Sequence, residues 1–216
     1  ERRKINMKLI MFGAPGAGKG TQAEKIAAKL NIPTISTGAV IRSEIEKKSE
    51  IGLKVQDIIK RGELVSDDIV LNMIEIRLKE DDCKNGFILD GFPRTIPQAE
   101  GLEKLGYEID RVINIDVSDE TIIDRLSGRL ECPKCHAIFH KTTKKPAVEG
   151  VCDLCGDKLA TRADDNPEVI KNRLNVFHAQ TEPLKEYYTK KGVVATVGDL
   201  GSVEKVTEEI FRQLGV

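Results

Sequence analysis

No apolar run in this 216-residue chain approaches the roughly 20 residues that a bilayer-spanning helix needs, so no membrane contact is expected. Nor does either sign of charge dominate. With 34 basic and 35 acidic side chains the formal charge is −1, which argues against bulk attraction to nucleic acid or to an anionic membrane. Any anion must then be held by locally grouped cations. The chain also lacks internal repeats, low-complexity tracts, an evident catalytic triad and the N-K-x-D element of guanine-recognising switch proteins. No secretory leader is expected: ERRKIN followed by LIMFGA starts like one, but the apolar run ends at Pro15 and Gly16, and a strand is the better reading. Residues 1–6 read as an N-terminal extension, and the rest as a cytoplasmic protein. At 40% apolar and 32% charged residues, the chain can build one sizeable core with a smaller insert.

What is present begins at Met7. Leu9-Ile10-Met11-Phe12 is too short for a helix before Gly13 and suits a buried parallel strand. Gly13, Gly16, Gly18 and Gly20 let the following backbone turn its N–H groups inward on an anion, and Pro15 stiffens the loop. Ala23, Ile26, Ala27 and Leu30 then repeat at helical spacing, which sets a helix N-terminus under bound phosphates, with Lys19 as the mobile full charge. The spacing is G-x-x-x-x-G-K, but the Ser or Thr that usually follows to hold Mg²⁺ is Gly20, and the hydroxyl arrives at Thr21.

Further strands are expected at Thr34-Ile35, Phe87-Ile88-Leu89, Val112–Ile115 and within GVVATVGD, alternating with helices. That alternation predicts an α/β fold with a parallel sheet covered on both faces. Residues 43–80 read as short amphipathic helices, with Val55, Ile58 and Ile59 on one and Ile69, Met73 and Ile76 on another. A Ser-Thr-Gly turn precedes them, Gly62 separates them, and Ser66 is a predicted N-cap. Residues 36–65 are expected to form a mobile arm. Asp90 and Arg94 follow a strand end, where ligands bind in open α/β sheets. The helix with Ile122, Ile123 and Leu126 is predicted to carry Arg125 and Arg129 on one face, an arrangement that calls for an anion or acid partner. Asn166 and Pro167 start another helix, and Val203, Val206, Ile210 and Leu214 mark a final core-facing stripe.

Between Glu131 and Arg162 the apolar periodicity stops. The pattern there is C-x₂-C-x₁₆-C-x₂-C, formed by Cys132, Cys135, Cys152 and Cys155, the spacing of a four-thiolate zinc site. Four thiolates close the shell, so such a metal is structural and stands in for a missing core. His136 and His140 read as surface residues, His178 as structural, and Cys83 is left over.

Taken together, these motifs resemble the adenylate kinases, in particular those with a long zinc-stabilised lid, over Met7 to Val216. The resemblance implies a P-loop nucleoside-monophosphate kinase fold: a five-stranded parallel sheet flanked by helices, a small helical monophosphate-binding arm at 36–65, a lid at 129–165, and a core of 7–35, 66–128 and 166–216. GAPGAGKGTQ is similar to the family's phosphate loop, glycine after the lysine included. It implies ATP contacts from Gly13, Ala14, Pro15, Gly16, Ala17, Gly18, Lys19, Gly20 and Thr21, joined by Arg125 and Arg129. ISTG, GELVSDD and DGFPRTIPQ imply AMP contacts from Thr37, Gly38, Arg42, Leu64, Val65, Gly91, Arg94 and Gln98, with Arg162 and Arg173 on the transferring phosphates. Lys19, Arg94, Arg129, Arg162 and Arg173 are the implied catalytic set, Asp90 and Thr21 the magnesium shell, and Asp164 and Asp165 the lid hinge. The expected reaction is reversible phosphoryl transfer from Mg·ATP to AMP, giving two ADP, by a monomer holding structural Zn²⁺. One departure stands out, since the family's usual STGD reads STGA here, with Ala39 in place of the acid. The competing readings are a kinase acting on UMP, CMP or GMP, a P-loop hydrolase or switch, and a non-catalytic zinc-binding module.

Overall fold

The computed structural model describes residues 6–216, so the first five residues of the expected N-terminal extension lie outside it. A parallel sheet organises the described chain: β1 (Met7–Phe12), β2 (Thr34–Ser36), β3 (Gly86–Asp90), β4 (Arg111–Asp116) and, later in sequence, a strand at Val194–Gly198. Their spatial order is β2-β3-β1-β4 followed by that last strand, with Leu9 opposite both Ile88 and Arg111. The chain builds leftward from β1 to β2 and β3, then rightward to β4. The reversal opens a crevice at the carboxyl end of β1, where the glycine-rich loop lies.

Around the sheet lie α1 (Lys19–Leu30), α2 (Thr37–Glu46), α3 (Glu50–Lys60), α4 (Asp67–Leu78), α5 (Ile96–Lys104), α6 (Asp119–Ser127), α7 (Pro167–Val176), α8 (Pro183–Lys190) and α9 (Val203–Leu214). A separate antiparallel pair, β5 (Arg129–Glu131) and β6 (Ile138–His140), stands in the cysteine-bearing insert, and Val194–Gly198 is β7. Alternation along β1 divides the core. Ile10 and Phe12 face one side with Phe87, Leu89, Ala99, Leu184 and Tyr188. Leu9 and Met11 face the other with Ala23, Ile26, Ile113 and Ile210. Each fully buried Leu, Ile or Phe contributes roughly 1.5–3 kcal/mol, so the two layers hold the sheet rigid under the crevice.

Several elements depart from the sequence expectation. The helix at 119–127 stops before Arg129, because Gly128 caps it with its N–H on the Asp124 carbonyl, so Arg125 and Arg129 do not share a helix face. On α4 the buried stripe is Val70, Ile74 and Leu78, not Ile69, Met73 and Ile76; Ile76 is 62% exposed. This helix is apolar at more positions than one face can bury, and packing against α5 chose between two stripes. Val203 is exposed although Val206, Ile210 and Leu214 are buried. Thr37 and Gly38 lie inside α2, capped by the Ser36 hydroxyl accepting from the Ala39 N–H at 3.4 Å. Ser66 occupies the N-cap of α4 without a side-chain cap bond.

Close backbone approach holds α2 against α3. A side chain at Gly52 would meet the Glu44 carbonyl at 2.1 Å, so α2 and α3 pack as only glycine allows. His178 lies in a π-helical turn (Phe177–Thr181), its ring between Glu182 at 2.8 Å and Asp119 at 3.0 Å. Those two carboxylates raise its pKa and tie α6 to the α7–α8 junction. No helix among the described residues is long and apolar enough to cross a membrane.

Candidate active site

The loop from Gly13 to Gly18 follows β1 directly. Gly13 sits at φ +136°, and a Cβ there would lie 2.5 Å from the Ile115 carbonyl, so both the conformation and the contact demand glycine. Gly16 and Gly18 are likewise left-handed, at φ +83° and +103°. Gly18 caps α1 without a side-chain bond, which leaves the first N–H groups of that helix available to an anion.

Lys19 folds back over the loop and donates to the Gly13 and Ala14 carbonyls at 2.8 and 2.7 Å. Burial lowers its pKa to about 8; Asp90 pulls the other way, and Arg94, Arg173 and Arg129 add to the lowering. The ammonium is therefore short of negative charge. Asp90, at the end of β3, directs its carboxylate at the first turn of α1, with Oδ2 3.6 Å from where a Gly20 side chain would begin. Thr21 lies one residue further along the same turn. Both are hard oxygen donors of the kind magnesium takes alongside nucleotide phosphates.

On the β2 side, Thr37 donates its hydroxyl to the Gly91 carbonyl at 2.9 Å. Arg94 Nε donates to the same carbonyl at 2.8 Å, and the Arg94 N–H to Gln98 Oε1 at 2.7 Å. Asp67, a residue sequence reasoning missed, accepts from Gln98 Nε2 at 2.8 Å and from the Thr95 hydroxyl at 2.9 Å, which fixes how the buried amide is turned. Arg42 runs back along α2, with Nη1 3.1 Å from the Cβ position of Gly38 and its Nε buried without a partner. Leu64 is half-buried, and Val65 is buried in the same core layer as Ile10 and Phe12.

The remaining arginines come with carboxylates. Arg129 holds Asp165 through Nε at 2.7 Å and Nη2 at 2.6 Å, while Arg173 reaches Asp165 at 2.9 Å and Asp164 at 3.0 Å. Burial raises the Asp164 pKa, but Arg173, Arg129 and Arg162 outweigh it and keep the group below the ordinary carboxylate range. Arg162 pairs with Glu131, and Arg125 with Asp199 at 2.9 Å. Neither acid was picked out from sequence, since each lies far along the chain from its arginine and no spacing rule links them. Arg42 senses Arg162 and Arg129, Arg94 senses Arg173 and Arg42, and Lys19 senses Arg94, Arg173 and Arg129. Five segments of the chain, counting the insert with Arg129 and Arg162 as one, thus bring five guanidiniums and one ammonium to a single crevice. The carboxylates of Asp90, Glu131, Asp164 and Asp165 offset part of that charge, and a polyanion is suited to the remainder.

In the insert, the four cysteine sulfurs lie within 4.8 Å of one another. Cys132 and Cys155 are 3.4 Å apart at sulfur, and Cys135 and Cys152 3.5 Å. Tetrahedral zinc with bonds of ~2.3 Å sets sulfurs about 3.8 Å apart, so the set fits that ion. The two C-x-x-C turns are built alike. Cys132 donates to the Ala137 carbonyl and accepts from the His136 N–H; Cys152 donates to Asp157 and accepts from Gly156. His136 at φ +60° and Gly156 at φ +75° fill equivalent left-handed positions. His136 is exposed and His140 half-buried. Cys83 is buried against Arg77, 3.0 Å from its Nη1.

Comparison with known proteins gives one answer. The model of the family described as adenylate kinase matches residues 11–193. A protein named adenylate kinase from Caldicellulosiruptor saccharolyticus is 50% identical over 214 residues, covering 97% of this chain and all of its own length. One from Lachnospira eligens is 52% identical over 213 residues, with 97% and 100% covered. One from Methanosarcina barkeri is 49% identical over 208 residues, with 94% and 96% covered.

Proposed function

This chain belongs to the adenylate kinase family, and from that premise we propose how its residues divide the work. The enzyme is an ATP:AMP phosphotransferase, passing the terminal phosphoryl group of Mg·ATP to AMP to give two ADP, and running in reverse. A phosphate monoester acceptor is already largely ionised near neutral pH, so no general base is needed. The obstacle is anion approaching anion, and the chemistry asks for positioning and neutralisation.

In the proposed division, the loop Gly13–Gly18, Gly20 and Thr21 with Arg125 and Arg129 hold ATP, and Lys19 leaves its carbonyl partners for the transferring phosphates. Thr37, Gly38, Arg42, Leu64, Val65, Gly91, Arg94 and Gln98 hold AMP. Arg162 and Arg173 bridge the two nucleotides. Asp90 and Thr21 would hold magnesium, which arrives with ATP and supplies charge neutralisation; with Ala39 at the neighbouring helix start, Asp90 does so without a second acid from α2. The convergence of Lys19 with Arg42, Arg94, Arg129, Arg162 and Arg173 around the glycine loop is the observation that carries this reading. In the proposed domain division, residues 36–65 form the acceptor arm, 129–165 a zinc-bearing lid hinged at Asp164 and Asp165, and 7–35, 66–128 and 166–216 the core. Closing the lid excludes water, which would otherwise take the phosphoryl group. In this proposal the protein is a monomer at work in the cytoplasm, free of nucleic acid and membrane; the near-zero net charge supports only the lack of bulk attraction to polyanions.

The test supplies ADP and Mg²⁺ alone. Equal amounts of ATP and AMP without free phosphate are expected, and a chelator should stop the reaction. Unchanged ADP would overturn the assignment.

A further inference from the structure

Arg129, Arg162 and Arg173 are each gripped by carboxylates of the same chain, and the grips differ. Arg129 gives Asp165 both Nε and Nη2, and Arg173 gives Nη1 to Asp164 and Asp165. Arg162 gives Glu131 its Nε alone. Among the described residues its two Nη groups make no hydrogen bond, so Glu131 holds the guanidinium by one edge and leaves the fork open. The side chains are 16% and 8% exposed.

Glu131 itself is fixed by backbone. Its N–H donates to the Ala160 carbonyl at 2.8 Å and its carbonyl accepts from the Ala160 N–H at 2.9 Å, two residues before Arg162. On its other side it pairs with Ile138 in the β5–β6 ladder. Yet the second carboxylate oxygen, Oε1, is buried with no hydrogen bond, and His136 Nδ1 stands 3.5 Å away. A buried carboxylate with an unpartnered oxygen weakens the unit that contains it. Lid stability alone therefore does not account for this residue. Across the crevice, Arg42 of the arm lies within electrostatic reach of both Arg162 and Glu131.

We propose that Glu131 is a positioning residue for phosphoryl transfer: holding Arg162 through Nε, it fixes the plane and reach of the guanidinium and presents the two Nη groups to the transferring phosphate. The inference rests on the reading of Arg162 as a phosphate-contacting residue. A free arginine samples many rotamers, and a planar fork rewards orientation more than proximity. An acid that holds the edge away from the ligand supplies that orientation before substrate binds.

The test is single-turnover phosphoryl transfer from Mg·ATP to AMP in wild type, Glu131→Gln, Glu131→Asp, Arg162→Met and the Glu131→Gln/Arg162→Met double variant, each assayed for zinc content. Glu131→Gln is expected to slow the step about ten- to hundredfold, with zinc retained and both nucleotide affinities within about threefold of wild type. It should add nothing in the Arg162→Met background. Glu131→Asp keeps the charge but draws the guanidinium back, and should be slow too. A wild-type rate in Glu131→Gln, or an equal loss with and without Arg162, would overturn the proposal. So would a wild-type rate in Glu131→Asp, which would assign Glu131 to charge balance, or a loss of zinc in parallel with the rate, which would assign it to the lid scaffold. A wild-type rate in Arg162→Met alone would instead remove the reading of Arg162 on which the proposal stands.

Discussion

Raising the pH should weaken ATP binding through a single side chain, Lys19. In the ligand-free crevice its ammonium is lowered to about 8 by burial, with Asp90 opposing and three arginines assisting. Among the described residues its hydrogen-bond acceptors are two neutral carbonyls. Bound phosphates replace these with full negative charges and return the group toward the ordinary lysine value of about 10.4. The free protein then loses its proton as pH rises through about 8 while the complex keeps it, so ATP binding takes up a proton and affinity falls with pH. At pH 9.5 only about 3% of the free protein retains a charged Lys19, which predicts a roughly thirtyfold rise in Kd between pH 7 and 9.5, about 2 kcal/mol at 1.36 per pH unit. For folding the sign is opposite: the unfolded chain binds the proton more tightly, so the cost of burying Lys19 is full below pH 8 and fades as pH climbs through 8 to about 10.4. Calorimetric titration with Mg·ATP, without AMP, in buffers of different ionisation enthalpy measures both the affinity and the proton uptake. In Lys19→Met the slope should vanish, and turnover should drop by about 10²–10³-fold with the fold intact. A flat Kd up to pH 9.5 in wild type, or the same slope in Lys19→Met, would refute the reasoning.

Two other outcomes follow from the geometry. Removing metal from the four-cysteine cluster should disorder residues 129–165 before the core, seen as an early separate transition in thermal unfolding; a single cooperative melt indifferent to chelation would count against a structural lid metal. Asp165→Asn should destabilise the protein by about 3–5 kcal/mol in chemical denaturation, because a side chain with no exposure is the shared anion of Arg129 and Arg173, and its loss strips the half-buried Arg129 of its carboxylate and leaves Arg173 with Asp164 alone. A change below about 1 kcal/mol would show that water reaches Arg129 and Arg173 in place of the carboxylate.

The sequence by itself determined the parts whose chemistry is local. Glycines that turn before a helix, a lysine directly after them, strands ending in Asp90, and two cysteine pairs at zinc spacing each carry their meaning within a few residues. Backbone sterics and ligand geometry act over that range, so the phosphate loop, the parallel sheet and the thiolate cluster were all legible. The individual arginines proposed to meet phosphate were singled out chiefly through resemblance, since an isolated arginine has no local signature.

Tertiary structure alone decided which groups answer one another across long separations. Glu131 with Arg162, Asp199 with Arg125, and Asp67 with Gln98 are pairs that no periodicity announces. The expected face shared by Arg125 and Arg129 failed because Gly128 ended the helix one residue early and turned Arg129 into a strand, where it meets Asp165. The stripe on α4 was ambiguous for a related reason: with Ile69, Val70, Met73, Ile74, Ile76 and Leu78 all apolar, helical spacing permits two faces, and only packing against the neighbouring helix selects Val70, Ile74 and Leu78. Local rules fix which structure a segment can form. Which carboxylate closes on which guanidinium depends on where the folded chain returns, and that is settled by the whole core at once.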